Sequence, residues 1–154
     1  MIVKVKKLHK DAIVPEYAHA TDTGFDLFSV EETTIPANGK AIVKTGLAFG
    51  LPAGWGVEVR NKSGITMKGV PTTNGTTEDI TVYIGTIDTG YRGEIGIMIK
   101  NENDFGITIP KQIKVAQGVL EQIFQCGFEE VEELDDTDRG TGGYGSTGFE
   151  SKGA

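Results

Sequence analysis

The residues most suited to chemistry lie in a stretch that glycines interrupt. From residue 85 to residue 93 the chain reads Gly-Thr-Ile-Asp-Thr-Gly-Tyr-Arg-Gly. Asp88 is a carboxylate that can take a proton from water, and Tyr91 offers a flat wall for a small ring with a polar edge. The glycines favour tight, positive-φ turns between strands expected at 80–84 and 94–100. The alternative is an ordinary hairpin with an exposed acid and a packing tyrosine.

A second polar cluster follows a strand predicted at 55–59. Lys62, Ser63 and Gly64 bring a cation, a hydroxyl and a glycine together at a strand-to-turn junction. Cations and N–H or O–H donors in that arrangement suit a phosphate group. Short loops of this composition are common, so an ordinary surface turn is the alternative.

Two more polar residues fall within predicted strands. Alternation along one strand puts Phe25 and Leu27 in the core and Asp26 on the opposite side. An acid there can cap a strand, pair with a lysine or hold a metal-bound water, and the residues alone favour a structural role. Gln117, in a strand predicted at 113–119, can bond a phosphate or satisfy a buried backbone group, which is the commoner role of a lone glutamine.

The C-terminal segment is rich in glycine yet carries an arginine and an aromatic residue. Five glycines fall within 140–148, together with Tyr144, and Arg139 precedes them. Such a segment cannot hold one shape alone, because ordering it costs too much entropy. Its backbone amides could wrap phosphates, while Arg139 supplies a cation and Tyr144 stacks on a base. The alternative is a terminal tail without a role.

Apolar residues alternate with other residues in several short runs, which predicts strands with one buried face. Turn-forming Gly, Pro, Asn and Thr residues separate the runs. Short strands at regular turn spacing indicate an all-β sandwich or barrel. A helix of one or two turns is expected near residues 63–68, and residues 71–79 are expected to form a polar surface loop.

Composition favours one globular domain and excludes several classes of function. The chain has 154 residues, of which 38% are hydrophobic, and no apolar run approaches a membrane span. Seven of the 22 acidic residues lie within 129–138, and the other 15 are matched by 15 Lys and Arg residues. That balance argues against a nucleic-acid-binding surface. Cys126 is the single cysteine, so no intrachain disulfide forms and a cytoplasmic location is expected.

Together these patches resemble the five motifs of trimeric deoxyuridine triphosphatases (dUTPases). The most specific parts are Asp88 and Tyr91 in their glycine-bracketed stretch and the tail Asp-Arg-Gly-x-Gly-Gly-Tyr-Gly-Ser-Thr-Gly from residue 138. The resemblance implies a jelly-roll-like β fold over 1–134 and a flexible, Gly-rich C-terminal arm over 135–154 that closes the active site. It also implies a homotrimer with shared active sites and hydrolysis of dUTP to dUMP and pyrophosphate, with Mg²⁺ on the triphosphate.

The resemblance also implies roles for single residues. Asp88 matches the acid that activates water for attack at the α-phosphorus, and Tyr91 matches the residue beneath the deoxyribose. Asp26 matches an acid that orients a metal-bound water, which suits Mg²⁺ because that ion keeps several waters. Uracil would be read by backbone groups of three residues: Gly85, Thr86 and Ile87.

Phosphate contacts are implied for a further set of residues. Ser63, Gly64 and Gln117 match phosphate-contacting positions, while Lys62 stands where the family has arginine and keeps the charge without the forked geometry. Val82 replaces the asparagine that many members use to read uracil, and residues 112–114 read Gln-Ile-Lys instead of Gly-Asp-Arg. The tail adds four substrate contacts: Arg139, Tyr144, Gly145 and Ser146.

Three other functions are compatible with the same motifs, of which the simplest is a β-sandwich binding module without catalysis. A dCTP deaminase, or a bifunctional deaminase, shares the fold but needs an acid/base near the cytosine amino group. A regulatory protein could instead use dUTP as a switch ligand and bind a protein partner through residues 71–79.

Overall fold

The structure is a computed structural model that describes residues 1–144. Over these residues the chain forms thirteen strands and one short helix. In chain order they are β1 Lys4–Lys7, β2 Gly24–Phe28, β3 Thr33–Ile35, β4 Lys40–Lys44, β5 Leu47–Gly50, β6 Trp55–Arg60, α1 Ser63–Lys68, β7 Val70–Pro71, β8 Thr77–Glu78, β9 Ile80–Val82, β10 Gly85–Ile87, β11 Gly96–Asn101, β12 Ile107–Ile109 and β13 Lys114–Gln122.

The strands pair antiparallel throughout this part of the chain. The largest sheet has the order β10-β6-β13-β2, and a three-stranded sheet has the order β4-β11-β9. Three two-stranded pairs complete the fold: β1 with β5, β12 with β3 and β7 with β8. The predicted all-β, jelly-roll-like class is confirmed, as is the short helix over 63–68.

The core follows the period-two pattern of the sequence. Ile95, Ile97 and Ile99 are fully buried, and so is Leu27 on β2. Each such side chain contributes about 1.5–3 kcal/mol when it leaves water. The alternating isoleucines therefore hold β11 against the rest of the core, directly after the turn that carries Asp88.

One predicted strand ends earlier than the alternation suggests. The strand expected at 80–84 stops at Val82, and Ile84 is 66% exposed. The chain changes sheets here, since β9 pairs with β11 whereas β10 pairs with β6. Val82 itself is buried in the core.

The expected positive φ angles at Gly85, Gly90 and Gly93 are wrong. Among the described glycines, positive φ occurs at other positions: Gly46, Gly54, Gly69, Gly75 and Gly140. Gly93 is instead required for space, because a Cβ atom there would lie 2.4 Å from the Tyr91 Oη atom. The glycine lets the aromatic ring fold back over the backbone.

The segment 71–79 is a small hairpin rather than a plain loop. β7 and β8 flank a turn at Gly75, which has a φ of 86°. Inside it Thr72 is buried, its hydroxyl bonding the Thr76 carbonyl at 3.0 Å. The polar side chains thus satisfy one another and give the turn a fixed shape.

The chain divides into one unit from Met1 to Phe124 and a second unit from Gln125 onward. The division into 1–134 and 135–154 stays a prediction. No helix in residues 1–144 is long and apolar enough to cross a membrane.

Replacing Gly118 on β13 with alanine should lower the free energy of unfolding by about 1–3 kcal/mol. A Cβ atom there would lie 2.3 Å from Cε2 of the buried Phe25 ring, so the core would have to shift. Gly127→Ala is the control, since nothing lies within 4 Å of the added atom. Equal urea denaturation midpoints for the two variants would contradict this packing account.

Candidate active site

Asp88 and Tyr91 share a cavity of about 320 Å³. The backbone of β10 forms one wall, and the side chains of Ile42 and Met98 contribute apolar surface. Tyr91 is 45% exposed and Asp88 is also exposed, so both can be reached from solvent. The cavity therefore combines apolar surface with two acidic residues, Asp88 and Glu94.

The strand β10 lies at the edge of its sheet, with β6 on its inner side only. The backbone groups of Gly85, Thr86 and Ile87 that face away from β6 have no backbone partner within residues 1–144. An edge strand presents N–H and C=O groups that can pair with another chain or with a ligand of matching edge. Successive residues of an antiparallel strand turn their N–H and C=O groups to opposite sides, so these outward groups belong to alternate residues of β10. Those groups are open to a planar ring.

Hydrogen bonds fix the turn that carries Asp88. The Thr89 hydroxyl donates to the Trp55 carbonyl at 2.6 Å, which ties the turn to β6. Arg92 Nη1 donates to the Thr89 carbonyl at 2.7 Å and to the Tyr91 carbonyl at 2.8 Å. The Asp88 carbonyl accepts from the Tyr91 amide at 3.0 Å. Sequence reasoning missed Thr89 and Arg92, although both lie inside the motif.

A separate polar cluster forms around Asp26. Its carboxylate is buried, and its two oxygens accept hydrogen bonds from the ammonium groups of Lys62 and Lys114. Lys62 immediately precedes Ser63 and Gly64, which are exposed at the start of α1. The first amides of a helix have no intrahelical acceptor, so the Ser63 and Gly64 N–H groups remain available to a ligand.

Gln117 holds the backbone of this cluster. It pairs with Asp26 on β2 and with Arg60 on β6, and its side-chain amide donates to the Asn61 carbonyl at 2.8 Å. A Cβ atom at Gly24 would lie 2.2 Å from the Gln117 side-chain oxygen, so glycine leaves the room for this amide. The Gln117 side chain therefore satisfies a backbone carbonyl, that of Asn61. Lys114 also belongs to this cluster, although sequence reasoning did not select it.

The charges of the two lysines set the protonation of Asp26. Burial pushes the pKa of the Asp26 carboxyl upward, but hydrogen bonds and charge attraction from Lys114 and Lys62 outweigh it. The pKa consequently lies below its ordinary value, and the carboxylate stays ionised near neutral pH. One ammonium group bonds each oxygen, and each oxygen keeps a further lone pair that can accept a hydrogen bond. The metal role of Asp26 stays a prediction.

The strand register separates the Asp88 cavity from the Asp26 cluster within one chain. Ile87 faces Val57 on β6, whereas Gln117 faces Arg60, three residues further along the same strand. Three residues of a strand span about 10 Å. β10 runs antiparallel to β6, so Asp88, which follows Ile87, lies still further from Arg60. Ser63 follows Arg60 in the chain, in the direction away from Val57. The two groups of residues are therefore further apart than about 10 Å.

The tail residues belong to the second unit and are described by themselves. Arg139 is exposed, and its Nε donates to the Gly142 carbonyl at 3.0 Å. Tyr144 is fully exposed. Gly145 and Ser146 lie outside the described residues.

An all-β sandwich with an acid and an aromatic ring at an open strand edge, and a basic cluster beside free amides, has the features of a nucleotide-binding protein of the jelly-roll class. A family model described as dUTPase matches residues 10–148. Deoxyuridine 5'-triphosphate nucleotidohydrolase of Clostridioides difficile is 43% identical over 147 residues, which is 96% of this chain and 98% of that protein. The chain belongs to the dUTPase family.

Solved structures agree with this assignment. The dUTPase of Staphylococcus bacteriophage 80alpha with dUpNHpp superposes with a TM-score of 0.84 at 29% identity, covering 96% of this chain and 98% of that chain. It is described among phage dUTPases that control transfer of virulence genes. A mutant dUTPase from phage phi11 of S. aureus, described with a structural Mg(II) ion, has a TM-score of 0.76 at 27% identity, covering 87% and 99%. The predicted family and fold are confirmed.

Asp26→Asn should lower the free energy of unfolding at pH 7 by about 1–3 kcal/mol, because two lysines lose their shared carboxylate. A carboxyl with a depressed pKa stabilises the fold above its unfolded value of about 3.9, and that stability is lost as the pH falls through the folded value. The gap between the wild-type protein and the variant should therefore close below about pH 4. Urea denaturation between pH 3 and 8 measures it, with Asp104→Asn, at an exposed position, as the control. A gap that is constant across this range would contradict the ion-pair account.

Proposed function

We propose that the chain hydrolyses dUTP to dUMP and pyrophosphate, with Asp88 as the general base. Asp88 takes a proton from water, and the water oxygen forms a bond to the α-phosphorus. The bond between that phosphorus and the α–β bridging oxygen breaks, and pyrophosphate leaves with the electron pair. The observation that carries the proposal is a reachable carboxylate in a fixed turn, next to an open strand edge that can read a base.

The cavity has the features that a uracil deoxynucleoside requires. Uracil has alternating donors and acceptors along one edge, which the outward backbone groups of β10 (residues 85–87) can match. Tyr91 supplies the flat surface beneath the sugar, where its ring leaves little room for a 2′-hydroxyl group. Limiting dUTP in this way keeps uracil out of DNA and supplies dUMP for thymidylate synthesis.

The phosphates are assigned to the basic cluster. Lys62, the Ser63 hydroxyl and the Ser63 and Gly64 amides supply donors and positive charge, and Gln117 holds the backbone that presents them. In the part of the chain that the structure describes, no three His, Cys, Asp or Glu side chains are close enough to hold a metal ion. We treat Mg²⁺ as bound to the triphosphate, because this ion keeps several waters and takes substrate phosphate oxygens as ligands. We assign the reaction to the cytoplasm, where deoxynucleotides are made.

A homotrimer with shared active sites accounts for the separation of the two groups of residues. Asp88 must approach the α-phosphorus while Ser63 contacts the adjacent phosphates, which are only a few ångströms away. Along one chain these residues are more than about 10 Å apart, so a site that uses both takes them from different copies. Exposed apolar side chains on the first unit, such as Ile42 and Ile84, supply surface that an assembly can cover.

The same cavity bears on whether the chain is a deaminase. Glu94 lines it, but its carboxylate accepts from the Gly46 amide at 2.8 Å and so has a structural role, which disfavours a deaminase. A regulatory role beside catalysis is the second candidate. The 80alpha relative is described as controlling gene transfer, and the hairpin over 70–78 presents an ordered polar turn to a protein partner.

Pyrophosphate release should be rapid with dUTP and at least about 100-fold slower with dCTP, dTTP and UTP. Asp88→Asn should lower kcat by about 10²–10⁴-fold, because the amide cannot accept the proton. Asp104→Asn, which removes an exposed acid elsewhere, should retain full activity. Ammonia release from dCTP, or normal turnover by Asp88→Asn, would refute the proposed reaction.

Mixed assemblies test whether the site is shared. Asp88→Asn and Ser63→Ala chains should each be weakly active alone, but subunits refolded together at equal amounts should recover about a quarter of wild-type activity. That fraction follows because one site in four then takes intact Asp88 and intact Ser63 from different chains. A site contained in one chain would show no recovery.

Ending the chain after Asp138 should lower kcat/KM by about 100-fold or more while the melting temperature stays within a few degrees. The segment is proposed to add closing contacts to substrate, and its described residues, 139–144, are largely exposed. A chain that ends at Gly148 and keeps the whole glycine-rich motif is the control. Unchanged kcat/KM in the shorter chain would remove the closing role of Arg139 and Tyr144.

A further inference from the structure

Lys114, which the proposed function does not use, is built into the cluster around Asp26. Its ammonium group lies 2.7 Å from Asp26 Oδ2, while Lys62 holds Oδ1. The Asp26 side chain is 6% exposed, compared with 27% for Lys62 and 51% for Lys114. In residues 1–144 neither lysine has a second carboxylate partner, so the three side chains carry one net positive charge.

The backbone brings Lys114 to this position through an irregularity in pairing. Lys114 pairs with Phe28 and Ala116 pairs with Leu27, so β13 contains one extra residue there. Such bulges re-aim side chains and are frequent beside functional sites. The Lys114 ammonium also lies 5.9 Å from the Phe28 ring centroid, within reach of a cation–π attraction. Two contacts therefore restrain a side chain that is half exposed.

The other end of the cluster leads to the phosphate donors. Gln117 fixes the Asn61 carbonyl, and the Asn61 side chain accepts from the Lys62 amide at 2.9 Å. The backbone of Lys62 is thus held on one side and its ammonium group by Asp26 on the other. The position of the Lys62 ammonium relative to Ser63 therefore depends on the orientation of the Asp26 carboxylate.

We propose that Lys114 is a positioning residue for the triphosphate: by holding Oδ2 of Asp26 it directs Oδ1, and with it the Lys62 ammonium, toward the phosphate donors. This inference rests on the proposed function of the Ser63–Gly64 segment. Without Lys114 the buried carboxylate would have Lys62 as its only cation. The cluster would then lose its net positive charge, and Oδ2 would lose its partner, so the carboxylate that holds the Lys62 ammonium would no longer be fixed in direction.

A double-mutant cycle on Lys62 and Lys114 tests the proposal, with the Kd of dUpNHpp measured by calorimetry in excess EDTA and again in Mg²⁺. Lys114→Gln and Lys62→Gln should each weaken binding about tenfold. The double variant should be no more than about twofold weaker than Lys62→Gln, because Lys114 acts through Lys62. Lys114→Arg, which keeps the cation, should stay within about threefold of wild type.

Lys111→Gln is the matched control, an exposed lysine in the turn before β13, and should leave Kd within about twofold. Independent, multiplying losses in the double variant would overturn the proposal, as would wild-type affinity of Lys114→Gln. A loss seen in Mg²⁺ but absent in EDTA would also overturn it, because Asp26 would then act through a metal-bound water. If the wild-type chain releases pyrophosphate from dUTP but the effects of the Lys62 and Lys114 substitutions on Kd multiply in the double variant, only this inference fails. If the wild-type chain neither binds dUpNHpp nor hydrolyses dUTP, the proposed function fails and this inference with it.

Discussion

Backbone pairing along β6 determines where each functional residue of the first unit lies. This strand has β10 on one side and β13 on the other, so its hydrogen bonds position the Asp88 turn and Gln117 together. Val57 and Val59 anchor it in the core through their buried side chains. A shift of one residue in either strand pairing would turn the buried side chains toward solvent. The register is therefore strongly specified, because the shift would lose the free energy of burying those side chains. The register of β6 therefore fixes the backbone that carries the Asp88 turn and Gln117.

The two carboxylates that matter differ because their surroundings differ. Asp26 is buried between two ammonium groups, which keep it charged and turn it into a fixed link between β2, α1 and β13. Asp88 lies in the open at the rim of an apolar cavity, where water can reach it. Two carboxylates of one fold can thus be suited to different roles by their surroundings alone.

Much of this organisation could be predicted from the sequence. Period-two alternation indicated the strands of the core, and the glycine-bracketed Asp88 and Tyr91 indicated the cavity. The sheet change after Val82 could not be predicted, because Ile84 continues the apolar alternation after the strand has ended. The partnership of Asp26 with Lys114 was also missed, since it depends on a bulge and on residues 88 positions apart in the chain. Local patterns report which face is buried, whereas such contacts depend on register.

The short edge strand β10 has a further consequence for the protein without ligand. An unpaired strand edge can form hydrogen bonds with another polypeptide as well as with a nucleobase. β10 has only three residues, so it offers few backbone hydrogen bonds to another chain. β10 is limited at one end by the change of sheet between Val82 and Gly85 and at the other by the turn at Asp88. The shortness of β10 is therefore itself a protection against non-native strand pairing.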